Sequence, residues 1–184
     1  MENCFILNNA LIIDPEVQDP FLGAIEIKDS VISKVYKSPK CSKVKTIDCG
    51  GKYLGPGIID IGVKICEPGE RHKESFKSAG KAAAAGGVTT MVTRPDTLPP
   101  VDSPEILSFM QQRGLEDSIV NILPMATLTK NREGREMAEI GFLLDSGAVA
   151  FSDGDFVITD LKILTRVMKY AKSLDALIIG HIQE

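Results

Sequence analysis

Between Ile58 and Glu70 the sequence IIDIGVKICEPGE carries an apolar run into Asp60, passes Gly62, Lys64 and Cys66, and turns at Glu67-Pro68-Gly69. An apolar strand that ends in a carboxylate and a turn is how a βα strand delivers ligands to a metal-dependent active site. This strand carries no histidine. A catalytic zinc takes about three protein ligands and keeps one position open for the water or carbonyl it polarises. Glycine supplies no ligand, and a lysine binds metal only in its neutral form, which neighbouring carboxylates disfavour.

Nor does the rest of the chain supply a local metal motif. Its two histidines, His72 and His181, are far apart, and its four cysteines (Cys4, Cys41, Cys49, Cys66) form neither CxxC pairs nor a dense disulfide framework. Reduced thiols are expected, and no neighbour marks Cys66 as a nucleophile. A net charge of −4 with scattered basic residues argues against a nucleic-acid partner. No run approaches the roughly 20 apolar residues of a membrane helix, and no basic leader precedes an apolar core. The chain is read as cytoplasmic, without a membrane partner.

The elements that must position these residues change character near residue 55. Residues 1–55 hold short β-type runs (CFILNNALII, AIEIKDSVISKVY, KVKTIDCGGKYL) broken by Asp14-Pro15 and Asp19-Pro20. After Gly55-Pro56-Gly57, residues 56–184 alternate strand and helix: GIIDIGVKI then HKESFKSAGKAAAAGG; VTTMVTR then SPEILSFMQQRG; SIVNILPMATL then REMAEIGFLLDSG; AVAFSD then TDLKILTRVMKYAKSLD; and last ALIIGHI. Continuous apolar strands between helices indicate a parallel sheet buried on both faces. Ser103-Pro104 is expected to cap the second helix, with a hydroxyl followed by proline at the first helical position. No glycine-rich phosphate loop follows any strand, so an α/β barrel of TIM type is favoured over a nucleotide-binding sheet. Such a barrel needs eight strands; the alternation supplies its first five, which leaves an open strand edge that predicts pairing or aggregation.

The stretch GPGIIDIGVKICEPGERHKESFKSAGKAAAAGGVTTMVTRPDTLPPVD, with ATLTKNREGREMAEIGFLLDSGAVAFSDG and IIGHIQE, resembles the dihydroorotases of the cyclic amidohydrolase family in motif order and spacing. The resemblance implies a TIM-like (β/α) barrel of the metal-dependent hydrolase type, preceded by part of a small β-sandwich. It implies a zinc site at the strand ends and interconversion of carbamoyl-aspartate and dihydroorotate in pyrimidine biosynthesis.

Carried over one position at a time, the family's site is degenerate here. Its first strand reads Asp-x-His-x-His-x-Arg, two metal ligands and a carboxylate-binding arginine, where this chain has Gly62, Lys64 and Cys66. Its substrate-binding asparagine, in Pro-Asn-Thr-x-Pro-Pro, is Asp96. Asp153 matches a metal-binding aspartate and His181 a metal-binding histidine, although the following Gly154-Asp155-Phe156 departs from the family pattern. On this reading Asp153 and His181 are vestigial ligands and no zinc or other cofactor is expected. No catalytic residue is assigned. The Lys64 ammonium is expected in part of the metal's place, paired with Asp153 and also with Asp60.

Each position also has a purely structural reading. Asp153 would cap a strand-to-helix turn, His181 would be a hydrogen-bonded interior histidine, and Cys66 a small buried residue. Glu67-Pro68-Gly69 and Pro99-Pro100 would be loop geometry, Lys130 part of a solvated loop, and AAAAGG close helix packing. Three functions stay open: an inactive dihydroorotase-like chain serving as a structural partner of aspartate carbamoyltransferase or as a homo-oligomer; an active cyclic amidohydrolase with an altered site; or a truncated remnant.

Overall fold

The computed structural model describes residues 4–41 and 43–180. The chain forms two compact units that meet between Pro56 and Gly57.

The first unit is a β-sheet built on β1 (Cys4–Ile12). β2 (Phe21–Lys28) pairs with it antiparallel and β3 (Val31–Tyr36) pairs antiparallel with β2, while β4 (Lys45–Asp48) and β5 (Tyr53–Leu54) run parallel to β1. Alternation along β1 buries Ile6, Ala10 and Ile12. Between β2 and β3, Asp29 and Ser30 both have positive φ, as a two-residue hairpin turn matched to strand twist requires.

The second unit is a parallel sheet in the order β6 (Ile58–Val63), β7 (Val88–Thr93), β8 (Asn121–Pro124). Its ladder continues as single parallel bridges from Ala126 to Phe151 and from Phe151 to Ile178, so the fourth and fifth expected strands are present as short contacts. Helices α1 (Phe76–Ala85), α2 (Pro104–Asp117), α3 (Ile140–Asp145) and α4 (Leu161–Ser173) follow the successive strand positions. Among the described residues, no helix is long and apolar enough to cross a membrane.

Local chemistry explains the helix boundaries. Ser75 and Ser78 form a reciprocal capping box on α1, and the Asp160 carboxylate accepts from the Lys162 and Ile163 amides at the start of α4. Pro104 opens α2, but Ser103 makes no side-chain capping bond. The third helix is shorter than its periodicity suggests. Residues before Ile140 are held by the preceding loop: Thr129 bridges Met137, Lys130 N–H donates to the Glu136 carbonyl and Ala138 N–H donates to Leu128.

Between helices and sheet lies the main core, with Ile65, Phe76, Met91, Leu107, Met110, Ile140, Leu143, Phe151 and Val167 all buried. Each such side chain contributes roughly 1.5–3 kcal/mol by leaving water. The alanine run is not the packing face that AAAAGG suggests, since Ala82, Ala84 and Ala85 are exposed. Close approach falls to Gly114, where a β-carbon would lie 2.7 Å from that of Ile122. On the sheet's inner face Val92, Met125 and Ala150 form a second small cluster with Ile179 against it. Ile59 and Ile61, which pair with Thr90 and Val92, are 61% and 62% exposed.

Candidate functional site

Parallel strands bring their carboxyl ends to one edge, and the loops that leave β6, β7 and β8 gather the charged residues there. Lys64 follows β6 and Asp96 follows β7. The ammonium nitrogen of Lys64 lies 2.9 Å from Asp96 Oδ2. Arg94, whose amide donates to the Val63 carbonyl, grips the same carboxylate as a fork, Nε to Oδ1 at 3.0 Å and Nη2 to Oδ2 at 2.9 Å. Arg94 Nη2 also meets Asp155 Oδ2 at 2.7 Å. The Asp96 side chain is 4% exposed. Burial pushes its carboxyl upward, but the hydrogen bonds and charges of Lys64 and Arg94 outweigh this and hold it below the usual carboxylate range. Arg94 is held more firmly protonated, foremost by Asp155.

Lys64 is therefore not paired with Asp153 or Asp60 as expected. Asp153 is already occupied: Oδ1 accepts from the amides of Leu128 at 2.8 Å and Thr129 at 3.1 Å, and Oδ2 accepts from the Thr129 hydroxyl at 2.5 Å. The carboxyl ties the loop after β8 to the Phe151 bridge position instead of capping a helix. Burial raises its pKa in spite of these donors. Asp60 is exposed and lies outside the cluster.

Gly62 is exposed with φ +94°, and nothing lies within 4 Å of where its β-carbon would stand. Cys66 is half-buried, not fully buried as expected. His181 lies outside the described residues. Glu67 is more than loop geometry: it is buried, accepts from the Phe76 amide at 3.2 Å, and meets Arg113 Nη2 at 3.4 Å and Arg71 Nε at 3.5 Å. It thereby ties the turn after β6 to the start of α1 and to α2. Lys130 pairs with Glu136.

Arg94 and Arg132 escaped the sequence reading. The signal for Arg94 was a lone charge ending the apolar run VTTMVT; Arg132 in LTKNREG had none, because only the loop's path carries it to this edge. Its Nε donates to the Asp153 carbonyl at 2.9 Å.

A model of the dihydroorotase-like family matches residues 51–184. The chain belongs to that family. It is 35% identical over 182 residues to a dihydroorotase of Sulfurihydrogenibium sp. (strain YO3AOP1), covering 97% of this chain and 43% of the relative. With a dihydroorotase of Aquifex aeolicus (strain VF5) it shares 31% over 179 residues, covering 97% and 42%. The chain thus spans about two-fifths of the length of these dihydroorotases. In fold it is similar to the L-hydantoinase (dihydropyrimidinase) from Arthrobacter aurescens, with TM-score 0.84, 21% identity and coverage of 98% and 41%. A crystal structure of a dihydroorotase matches with TM-score 0.63 and 15% identity, covering 98% of this chain and 51% of that one. The second unit is accordingly part of an amidohydrolase fold of TIM-barrel type.

The dihydroorotase-like family implies a zinc ion at this edge, and the described residues do not fit one. Gly62 offers no donor, the Lys64 ammonium stands on Asp96, and Asp153 already accepts three hydrogen bonds. Among the described residues no group of three or more histidine, cysteine, aspartate or glutamate side chains could hold a metal ion.

Proposed function

We propose that this chain is a dihydroorotase-like protein of pyrimidine biosynthesis that has lost hydrolysis and the zinc it would need, and that it acts as a structural partner of aspartate carbamoyltransferase. The observation that carries this reading is the Lys64–Asp96–Arg94 ion-pair cluster at the strand ends. Opening a cyclic amide needs a Lewis acid that polarises the carbonyl and lowers the pKa of a bound water to about 7. A fixed ammonium supplies a charge but has no coordination position for water or carbonyl. It also opposes the approach of a divalent cation, so architecture outlasts chemistry. The aspartate carbamoyltransferase partnership follows from the family resemblance.

The test is zinc content and dihydroorotate hydrolysis measured on the full-length protein. Stoichiometric zinc with appreciable turnover would overturn the loss of catalysis, and failure to co-purify with aspartate carbamoyltransferase under native conditions would overturn the partnership. A second reading, hydrolysis through an altered site, is favoured by the 35% identity to a dihydroorotase over nearly the whole chain; the same assay decides it.

A further inference from the structure

We propose that the outward face of α4 is a docking surface for a protein partner that presents a row of carboxylates. Lys162, Arg166, Lys169 and Lys172 are all exposed on this helix. Steps of four, three and three residues keep them on successive turns of one face, across about 15 Å of helix. Val167 and Ala171, on the opposite face, are buried.

This charge is locally unbalanced. The helix contains no aspartate or glutamate, whereas the chain as a whole carries a net charge of −4. Among the described residues no carboxylate forms an ion pair with any of the four cations. The acidic group at the start of the helix, Asp160, is engaged by the Lys162 and Ile163 amides. Helix α2 shows the usual remedy: Arg113 pairs with Glu116 and Asp117, three and four residues on. On α4 the same spacing sets like charges against one another, which opposes the helix. A row of carboxylates on another molecule turns those repulsions into attractions and is steered to the face before contact.

The make-up of the face favours a protein over other polyanions. A basic helix that binds a bilayer sinks its apolar side into the lipid, but on α4 that side is packed into the protein's own core. A DNA-binding protein that makes roughly 6–10 phosphate contacts needs more cations than this row of four. Arg166 stands inside the row, with exposed Met168 and Tyr170 beside it. Arginine, methionine and tyrosine are residue types enriched in protein interfaces. The partner's matching segment carries carboxylates at helical spacing with apolar residues between them. The proposal does not depend on whether the chain hydrolyses anything, or on which enzyme it accompanies.

To test it, a fluorescein-labelled helical peptide with glutamates at the spacing of the four cations and leucines between them is titrated with the full-length protein, and its fluorescence anisotropy is followed at about 150 mM sodium chloride. A scrambled peptide of the same composition, a DNA duplex and phosphatidylserine vesicles are the competing probes. Saturable binding of the patterned peptide, tighter than that of every other probe, is the expected result. Lys162→Gln, Arg166→Gln and Lys169→Gln together should weaken it about tenfold or more. Lys37→Gln, Lys52→Gln and Lys81→Gln, the same charge change at exposed positions elsewhere, should leave it unchanged. If the α4 triple variant does not fold, Arg166→Gln alone is read in its place. Preference for DNA, for vesicles or for the scrambled peptide, no saturation, or equal affinity in the two triple variants overturns the proposal.

Discussion

Arg94 and Asp96 stand two residues apart and face each other through parallel hydrogen bonds of 3.0 and 2.9 Å. This pair, rather than Asp153, receives the ammonium of Lys64. Proline between them keeps the backbone extended enough for a guanidinium to fold back onto a carboxylate so close in sequence. The second strand's end thus neutralises the first strand's lysine.

Removing the shared anion should therefore cost more than removing any one cation. Asp96→Ala leaves two cations at the edge, one of them on a side chain only 20% exposed. The half-exposed Lys64 contributes little, so the expected loss is about 2 kcal/mol, below the 3–5 kcal/mol of a fully buried pair. Lys64→Ala should cost under about 1 kcal/mol. Urea unfolding midpoints of the two variants compare them directly.

Two carboxyls in this edge should respond to pH with opposite signs. The Asp96 pKa is lowered, so its contribution is present above the ordinary aspartate value near 3.9 and is lost as pH falls through the folded value. The Asp153 pKa is raised, so its contribution is present below the ordinary value and lost as pH rises through the folded one. Relative to Asp96→Asn, the parent protein should gain stability as pH rises through the acid range; relative to Asp153→Asn it should lose it. Denaturant titrations at a series of pH values read both slopes, and parallel slopes would refute the assignment.

At Gly114 the usual rule for helices should reverse. Glycine to alanine inside a helix ordinarily stabilises by about 1 kcal/mol. Here the new methyl would stand 2.7 Å from the Ile122 β-carbon. Overpacking of about 1–3 kcal/mol should dominate, and Gly114→Ala should melt at a lower temperature than the parent.

Restoring the family's residues should not by itself restore a zinc site. In Gly62→His, Lys64→His, Cys66→Arg, position 62 has open space but a φ of +94° that strains any side chain. Asp153 would still be engaged by Leu128 and Thr129. Metal analysis of the purified triple variant should find less than one zinc per chain.

Much of the local structure was legible from sequence because its causes are local. Strand runs such as VTTMVT and the parallel order that follows from strand–helix alternation appear where the pattern places them. The glycine at 62 and the lysine at 64 are visible without any fold. The third helix misled because a periodic apolar pattern cannot show that residues 136–138 are already held by Leu128, Thr129 and Lys130.

Partner choice is where sequence stopped and tertiary structure decided. Lys64, Asp60, Asp96 and Asp153 could be named as charges, but charge alone does not rank pairs. Adjacent parallel strands place Lys64 beside Asp96, and the amides of Leu128 and Thr129 reach Asp153 first. A left-handed turn at Asn131 and Arg132 then brings a second guanidinium to Gly154. Each outcome depends on distances between residues far apart in the chain, set by the sheet and by the backbone donors along its edge.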